Sequence, residues 1–210
     1  MNFVEVSKKE GVATLTLCRG KVNALTGAVV DQIKTVLSDI EGDPGTWAVI
    51  ITGKGNFFSF GFDVPEFLSY SKDEFSDYLK GFTALLKYIF LFPKPVIAAL
   101  NGHTMAGGCM LSLACDQRIM TAGRAKISLN EISFGSSVLA GSTEMLRACA
   151  GTSNAMEILY SGAMYSAEQA QNLGLVDQVV PANDLLEVSE KMAAQLGKKP
   201  SAAFAAIHGD

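Results

Sequence analysis

Residues 95–116 read PVIAALNGHTMAGGCMLSLACD, and two readings of that stretch lead to different proteins. From Pro95 to Cys115 there are 21 residues without a formal charge, enough to cross a bilayer as a helix. Asn101-Gly102-His103 and Gly107-Gly108 interrupt the run. It therefore divides into a buried strand (Val96 to Leu100), a glycine turn, and a short helix from Gly107 to Cys115. A similar pair lies upstream. Trp47 to Thr52 (WAVIIT) reads as a buried strand, and Gly53 to Phe62 as a loop rich in glycine and aromatic rings.

Periodicity extends the pattern outward. Phe3 to Val6 and Val12 to Leu17 alternate apolar and polar residues, which predicts a hairpin. Leu25, Val29, Ile33, Leu37 and Ile40 share one face of a helix capped near Thr26. Phe75, Tyr78, Leu79, Phe82, Leu86 and Ile89 share a face of the next helix, which stops before Pro93. A short strand is expected at Lys126 to Ser128. Helices follow over Ser142 to Ala150, Ser153 to Ser161 and Ala167 to Leu173. Leu175 to Val180 reads as a last strand, and Asn183 or Asp184 caps a final helix ending near Gly197. Alternating strand and helix puts the chain in the α/β class, with buried parallel strands.

Composition bounds the function. Of 210 residues, 49% are apolar and 18% charged, against about 25% charged in an ordinary soluble domain. That much apolar surface offsets ordering entropy and excludes a disordered chain. It also leaves few charges to cover the surface, so a face meeting another subunit is expected. A net charge of −4 argues against nucleic acid or anionic lipid as partners. The cysteines (Cys18, Cys109, Cys115, Cys149) form no CxxC, and His103 and His208 are not paired, so no metal site is expected. Met1 to Glu5 carries no basic region followed by an apolar run. The expectation is a soluble, cytoplasmic protein without a membrane segment.

Two segments could carry chemistry. In Asn56 to Asp63 and in Asn101 to Cys109, a chain leaving a buried strand turns at glycine, which can leave backbone N–H groups pointing into a cleft. Two converging N–H groups stabilise a developing oxyanion without any charged side chain; the alternative is a pair of structural turns. Glu131 is the single charge between Ile127 and Thr143. A carboxylate in apolar surroundings has a raised pKa, which suits a general base, unless it is a surface or cap glutamate. Ser59 lacks GxSxG; His103 and Cys109 read as packed core residues.

Taken in order, FFSFGFD (57–63), residues 95–116, ISLNEISFG (127–135) and SAEQAQNLGLVDQVV (166–180) resemble the crotonase superfamily, the enoyl-CoA hydratase/isomerase group. The resemblance implies a spiral of ββα units with a helical C-terminal part, spanning 1–197 as one core domain with a short tail, 198–210. It implies an acyl-CoA substrate, no cofactor beyond the CoA that the substrate carries, and a homotrimer or dimer of trimers. The oxyanion amides would be those of Phe62 and Gly107, with Glu131 catalytic. Lys21, Val22 and Ala24, with Ser59, Phe60, Gly61, Phe62 and Asp63, would hold CoA. Hydratases of the group usually carry a second glutamate where this chain has Met110, a residue that would line the acyl pocket. With one carboxylate, the resemblance points to a Δ3,Δ2-enoyl-CoA isomerase working by a proton shuttle. Hydration, other crotonase chemistry and a non-catalytic acyl-CoA-binding subunit are the alternatives. The family usually continues with further C-terminal helices, which the sequence leads one to expect are absent here.

Overall fold

The computed structural model describes residues 2–199 together with Phe204, Ala206 and Ile207. In chain order the strands are β1 (Val4–Lys9), β2 (Val12–Leu17), β3 (Ala48–Gly53), β4 (Phe57–Ser59), β5 (Val96–Leu100), β6 (His103–Met105), β7 (Gln117–Thr121), β8 (Ile127–Ser128) and β9 (Gln178–Val180). The helices are α1 (Gly27–Glu41), α2 (Val64–Phe67), α3 (Lys72–Phe90), α4 (Gly107–Leu113), α5 (Ala140–Ser161), α6 (Ala167–Asn172) and α7 (Leu185–Gly197).

Six strands form one sheet in the order β1-β2-β3-β5-β7-β9. The β1–β2 hairpin is antiparallel and every other pairing is parallel. Successive side chains of a strand point to opposite faces, so each inner strand feeds two cores. Ala48, Ile50, Ile97, Ala99 and Ile119 face α7, with Leu185 and Ala193 opposite them. Val49, Ile51, Ala98, Leu100 and Met120 face the larger core, with α1 and α3. This two-sided burial explains the nearly unbroken apolar runs of β3 and β5.

A second, three-stranded sheet has the order β4-β6-β8, all parallel. Two of its strands lie inside segments that the sequence reads as loop or turn, β4 in Gly53 to Phe62 and β6 just after Asn101-Gly102, while β8 falls within the strand expected at Lys126 to Ser128. Three passes of the chain thus repeat one pattern. Each gives a strand to the large sheet, a strand to the small one, then a helix: β3-β4-α3, β5-β6-α4 and β7-β8-α5. This is the ββα spiral, with the helices α5, α6 and α7 towards the C-terminus. No helix among the described residues is long and apolar enough to cross a membrane.

Several boundaries differ from expectation for local reasons. Leu25 precedes α1 and instead bridges Phe62, while Thr26 caps the helix by accepting from the Val29 N–H. Trp47 lies outside β3 and is 41% exposed. Phe75 is exposed on α3, and Leu85 takes a buried place on that face. The α5 segment contains a break at Gly151 (φ 74°), between the two helices that the sequence predicts. Asp184 makes no side-chain cap for α7; a 3-10 turn, Ala182–Asp184, leads into it. β7 escaped notice because its first residues are polar. Arg118 is buried there, donates to the Cys115 carbonyl (2.9 Å) and pairs with Asp177 (2.6 Å). All four cysteines are free; Cys109 and Cys115 are buried, Cys18 and Cys149 half-buried. His208, and the expected tail 198–210 apart from Lys198, Lys199, Phe204, Ala206 and Ile207, lie outside the described residues.

Candidate active site

The small sheet brings the chemistry-bearing turns together. At the C-terminal ends of β4, β6 and β8 stand Gly61-Phe62, Ala106-Gly107 and Asn130-Glu131. The first two turns touch. A Cβ added to Gly61 (φ +90°) would sit 2.8 Å from the Met105 carbonyl oxygen and 2.9 Å from the Gly107 nitrogen. One added to Gly107 would lie 2.7 Å from the Phe62 ring. Neither the Phe62 nor the Gly107 N–H is taken by a hydrogen bond among the described residues. Gly107 opens α4, where the first amides have no intrahelical acceptor. With only seven residues in α4, the amide itself matters more than a macrodipole.

Between these turns Ala106 holds φ 48°, ψ −119°, a conformation natural only to glycine. Ala106→Gly is therefore expected to raise stability by about 1 kcal/mol, because strain relief exceeds the added chain entropy. Equilibrium unfolding in denaturant checks this; an unchanged or lower midpoint would show that the loop is unstrained.

Glu131 begins a 3-10 turn, Glu131–Phe134, and is only 4% exposed. Neither carboxylate oxygen has a hydrogen-bond partner. Burial, with no cation to offset it, pushes its pKa from 4.5 up to about 6. Glu131 lines a cavity of about 260 Å³ together with Phe60, Phe62, Ala106, Met110 and Leu139. Met110 is fully buried on α4, so its thioether and not a carboxylate faces that space.

The other expected binding residues form a strip beside the cavity rather than its lining. The Phe60 N–H donates to the Val22 carbonyl (2.9 Å) and the Leu25 N–H to the Gly61 carbonyl (2.8 Å), zipping residues 22–25 along 60–61. Ala24 is buried in that strip and Lys21 is exposed at its end. Ser59 is fully buried; its hydroxyl donates to the Asn23 carbonyl (2.8 Å) and accepts from the Gly61 N–H (3.1 Å), so it is no nucleophile. The Asp63 carboxylate pairs with Arg19 (2.7 Å) and caps α2. His103 Nδ1 accepts from the Lys126 N–H (3.2 Å), and burial pushes the Cys109 thiol far up; both are structural.

Three residues have roles that the sequence reading did not give them. Asn23 takes a positive φ (50°), and its amide donates to the Lys54 and Phe57 carbonyls (3.1 and 2.8 Å), pinning the strip to the loop. Asparagine tolerates a positive φ better than most residues, so an Asn shortly before the Thr26 helix cap is a signal that could have found it. Ala106 carries the strain described above. Asn130 lines the cavity, and its Oδ1 is buried without a partner.

The sequence profile of the family described as "Enoyl-CoA hydratase/isomerase" matches residues 7–209. A protein of Bacillus subtilis (strain 168) called "Probable enoyl-CoA hydratase" is 36% identical, over 99% of this chain and 81% of its own length. Among solved structures, human mitochondrial delta3-delta2-enoyl-CoA isomerase superposes with a TM-score of 0.95 at 27% identity, covering 99% of this chain and 82% of that one. The enoyl-CoA hydratase from Bacillus anthracis gives 0.92 at 30% identity, covering 99% and 81%.

Proposed function

The chain belongs to the enoyl-CoA hydratase/isomerase family, and from that premise we propose that it is a Δ3,Δ2-enoyl-CoA isomerase using Glu131 as its one acid/base. The carrying observation is the buried, unpartnered Glu131 carboxylate, the one such carboxylate among the described residues, in a cavity that Met110 also lines. The thioester carbonyl of a 3-enoyl-CoA lies against the Phe62 and Gly107 amides. Glu131 takes a proton from C2. The C–H electron pair forms a C1–C2 double bond while the carbonyl π pair moves onto the thioester oxygen, giving a dienolate held by the two amides. As the carbonyl re-forms, the C1–C2 pair moves to C2–C3, the former C3–C4 π pair takes the same proton at C4, and the carboxylate is regenerated. Adding water is better served by two carboxylates, one activating water and one delivering a proton. Met110 can do neither.

CoA is held along Lys21, Val22 and Ala24 and the Ser59 to Asp63 strip, and arrives as part of the substrate. The exposed apolar rim of Phe60, Val64 and Phe134 supports assembly with further copies, as a homotrimer or dimer of trimers. Sedimentation measures that assembly.

A hydratase reading is favoured by the name of the Bacillus subtilis relative. Product analysis decides between the two. A 3-enoyl-CoA is expected to give the trans-2-enoyl-CoA, and a 2-enoyl-CoA to give no 3-hydroxyacyl-CoA. Hydration faster than isomerisation would overturn the proposal. The base must be ionised to act, so kcat/KM is expected to rise tenfold per pH unit and level off above about 6. A flat profile across that range would remove Glu131 from the base role.

A further inference from the structure

A second cavity, of about 430 Å³, lies between α3 and α5. Leu86, Phe90, Met145 and Ala148 supply apolar walls; Lys87 and Glu144 stand among its charged lining. Glu144 is turned to Arg147 (2.6 Å) and is not aimed at a ligand. Leu139 lines this cavity and also the Glu131 cavity, so one side chain stands in the wall between them. It is only partly buried, packed against the edge of the core, and so has room to change rotamer.

The geometry points to this second cavity as the seat of the distal acyl chain, with Leu139 as the partition that selects chain length. The inference rests on the isomerase reading of the Glu131 cavity. There the thioester is fixed at Phe62 and Gly107, and C2 to C4 must lie within reach of Glu131. These groups and the first few carbons occupy part of the 260 Å³ of that space, and what is left does not hold a long chain. A longer chain must leave through a wall, and Leu139 is the lining residue that leads to a second apolar volume. The substrate class that fits is a medium- to long-chain 3-enoyl thioester, not a short one. Moving each methylene from water into such a space is worth about fourfold in binding.

The test is a series of 3-enoyl-CoA thioesters from six to fourteen carbons, assayed on the whole chain, on Met145→Trp, which narrows the second cavity, and on Leu139→Ala, which removes the partition. In the parent, KM is expected to fall with length by about fourfold per methylene until the cavity is full. In Met145→Trp the ratio of kcat/KM for the twelve-carbon over the six-carbon substrate is expected to fall by roughly the worth of two methylenes, about sixteenfold. In Leu139→Ala that ratio is expected to rise. Because each ratio is taken within one protein, partial unfolding of a variant cancels. Ratios unchanged in both variants would overturn the inference while the isomerase reading stands. A concentration-dependent loss of self-association in Met145→Trp with unchanged ratios would assign the groove to a second copy instead. Failure of every chain length, the six-carbon substrate included, would overturn the isomerase reading itself.

Discussion

Glu131→Gln is expected to lose isomerase activity by a factor of about 10²–10⁴ while becoming, above neutral pH, the more stable protein. Both effects come from one fact: the carboxylate is buried with neither oxygen paired. The activity loss follows because the amide cannot accept the C2 proton. The stability gain follows from linkage. The folded pKa of about 6 lies above the ordinary 4.5, so the folded state holds this proton more tightly than the unfolded chain. Its contribution to stability is complete below about pH 4.5 and is lost as pH rises through about 6. A shift of that size corresponds to about 2 kcal/mol. Glutamine does not titrate. The stability of the variant relative to the parent should therefore grow by about 2 kcal/mol between acid and mildly alkaline solution. Denaturant unfolding of both proteins at the two extremes measures it, alongside turnover of a 3-enoyl-CoA. Near-parental turnover, or a stability difference independent of pH, would show that Glu131 is not the buried base.

What the sequence could reveal divides along physical lines. The long elements were legible because each buries one face over many residues. Leu15, Leu37, Ile51 and Phe82 repeat with the period of their element. The two glycine turns were legible because a chain that must turn against another chain leaves glycine behind. Two strands of the small sheet, β4 and β6, were hidden, since each is three residues long and no period shows over so short a run, while β8 was legible. Yet that sheet carries the site. The candidate amides and Glu131 meet because Phe57 registers with His103, and Thr104 with Ile127. Isolation of Glu131 from other charge along the chain foretold its isolation in space, but nothing local showed that it would turn inward. Phe75 shows the reverse case. It fits the helical stripe, but at the start of α3 it lines the mouth of the cavity instead of the core.

Gly61→Ala carries the second large effect, expected as a fall of about 10²–10³ in kcat, the usual worth of one oxyanion donor. The position is constrained twice. Its φ of +90° strains any side chain, and the added methyl would meet two backbone atoms, the Met105 oxygen at 2.8 Å and the Gly107 nitrogen at 2.9 Å. Backbone cannot swing aside as a long side chain can, so the turns after β4 and β6 must part, and the Phe62 and Gly107 amides part with them. Strain alone could lower activity by destabilising the fold. Gly55 separates the two causes. It has nearly the same φ, +80°, but nothing lies within 4 Å of its missing Cβ. Gly55→Ala should therefore lose about 1–3 kcal/mol of stability from strain and keep its turnover number. Gly61→Ala should lose both. The pH at which kcat/KM levels off should stay near 6 in Gly61→Ala, because Glu131 is untouched. Steady-state kinetics of both variants on one 3-enoyl-CoA, with unfolding measured in parallel, tests this contact. Equal turnover numbers for the two variants would mean that the close approach of these turns has no part in stabilising the oxyanion.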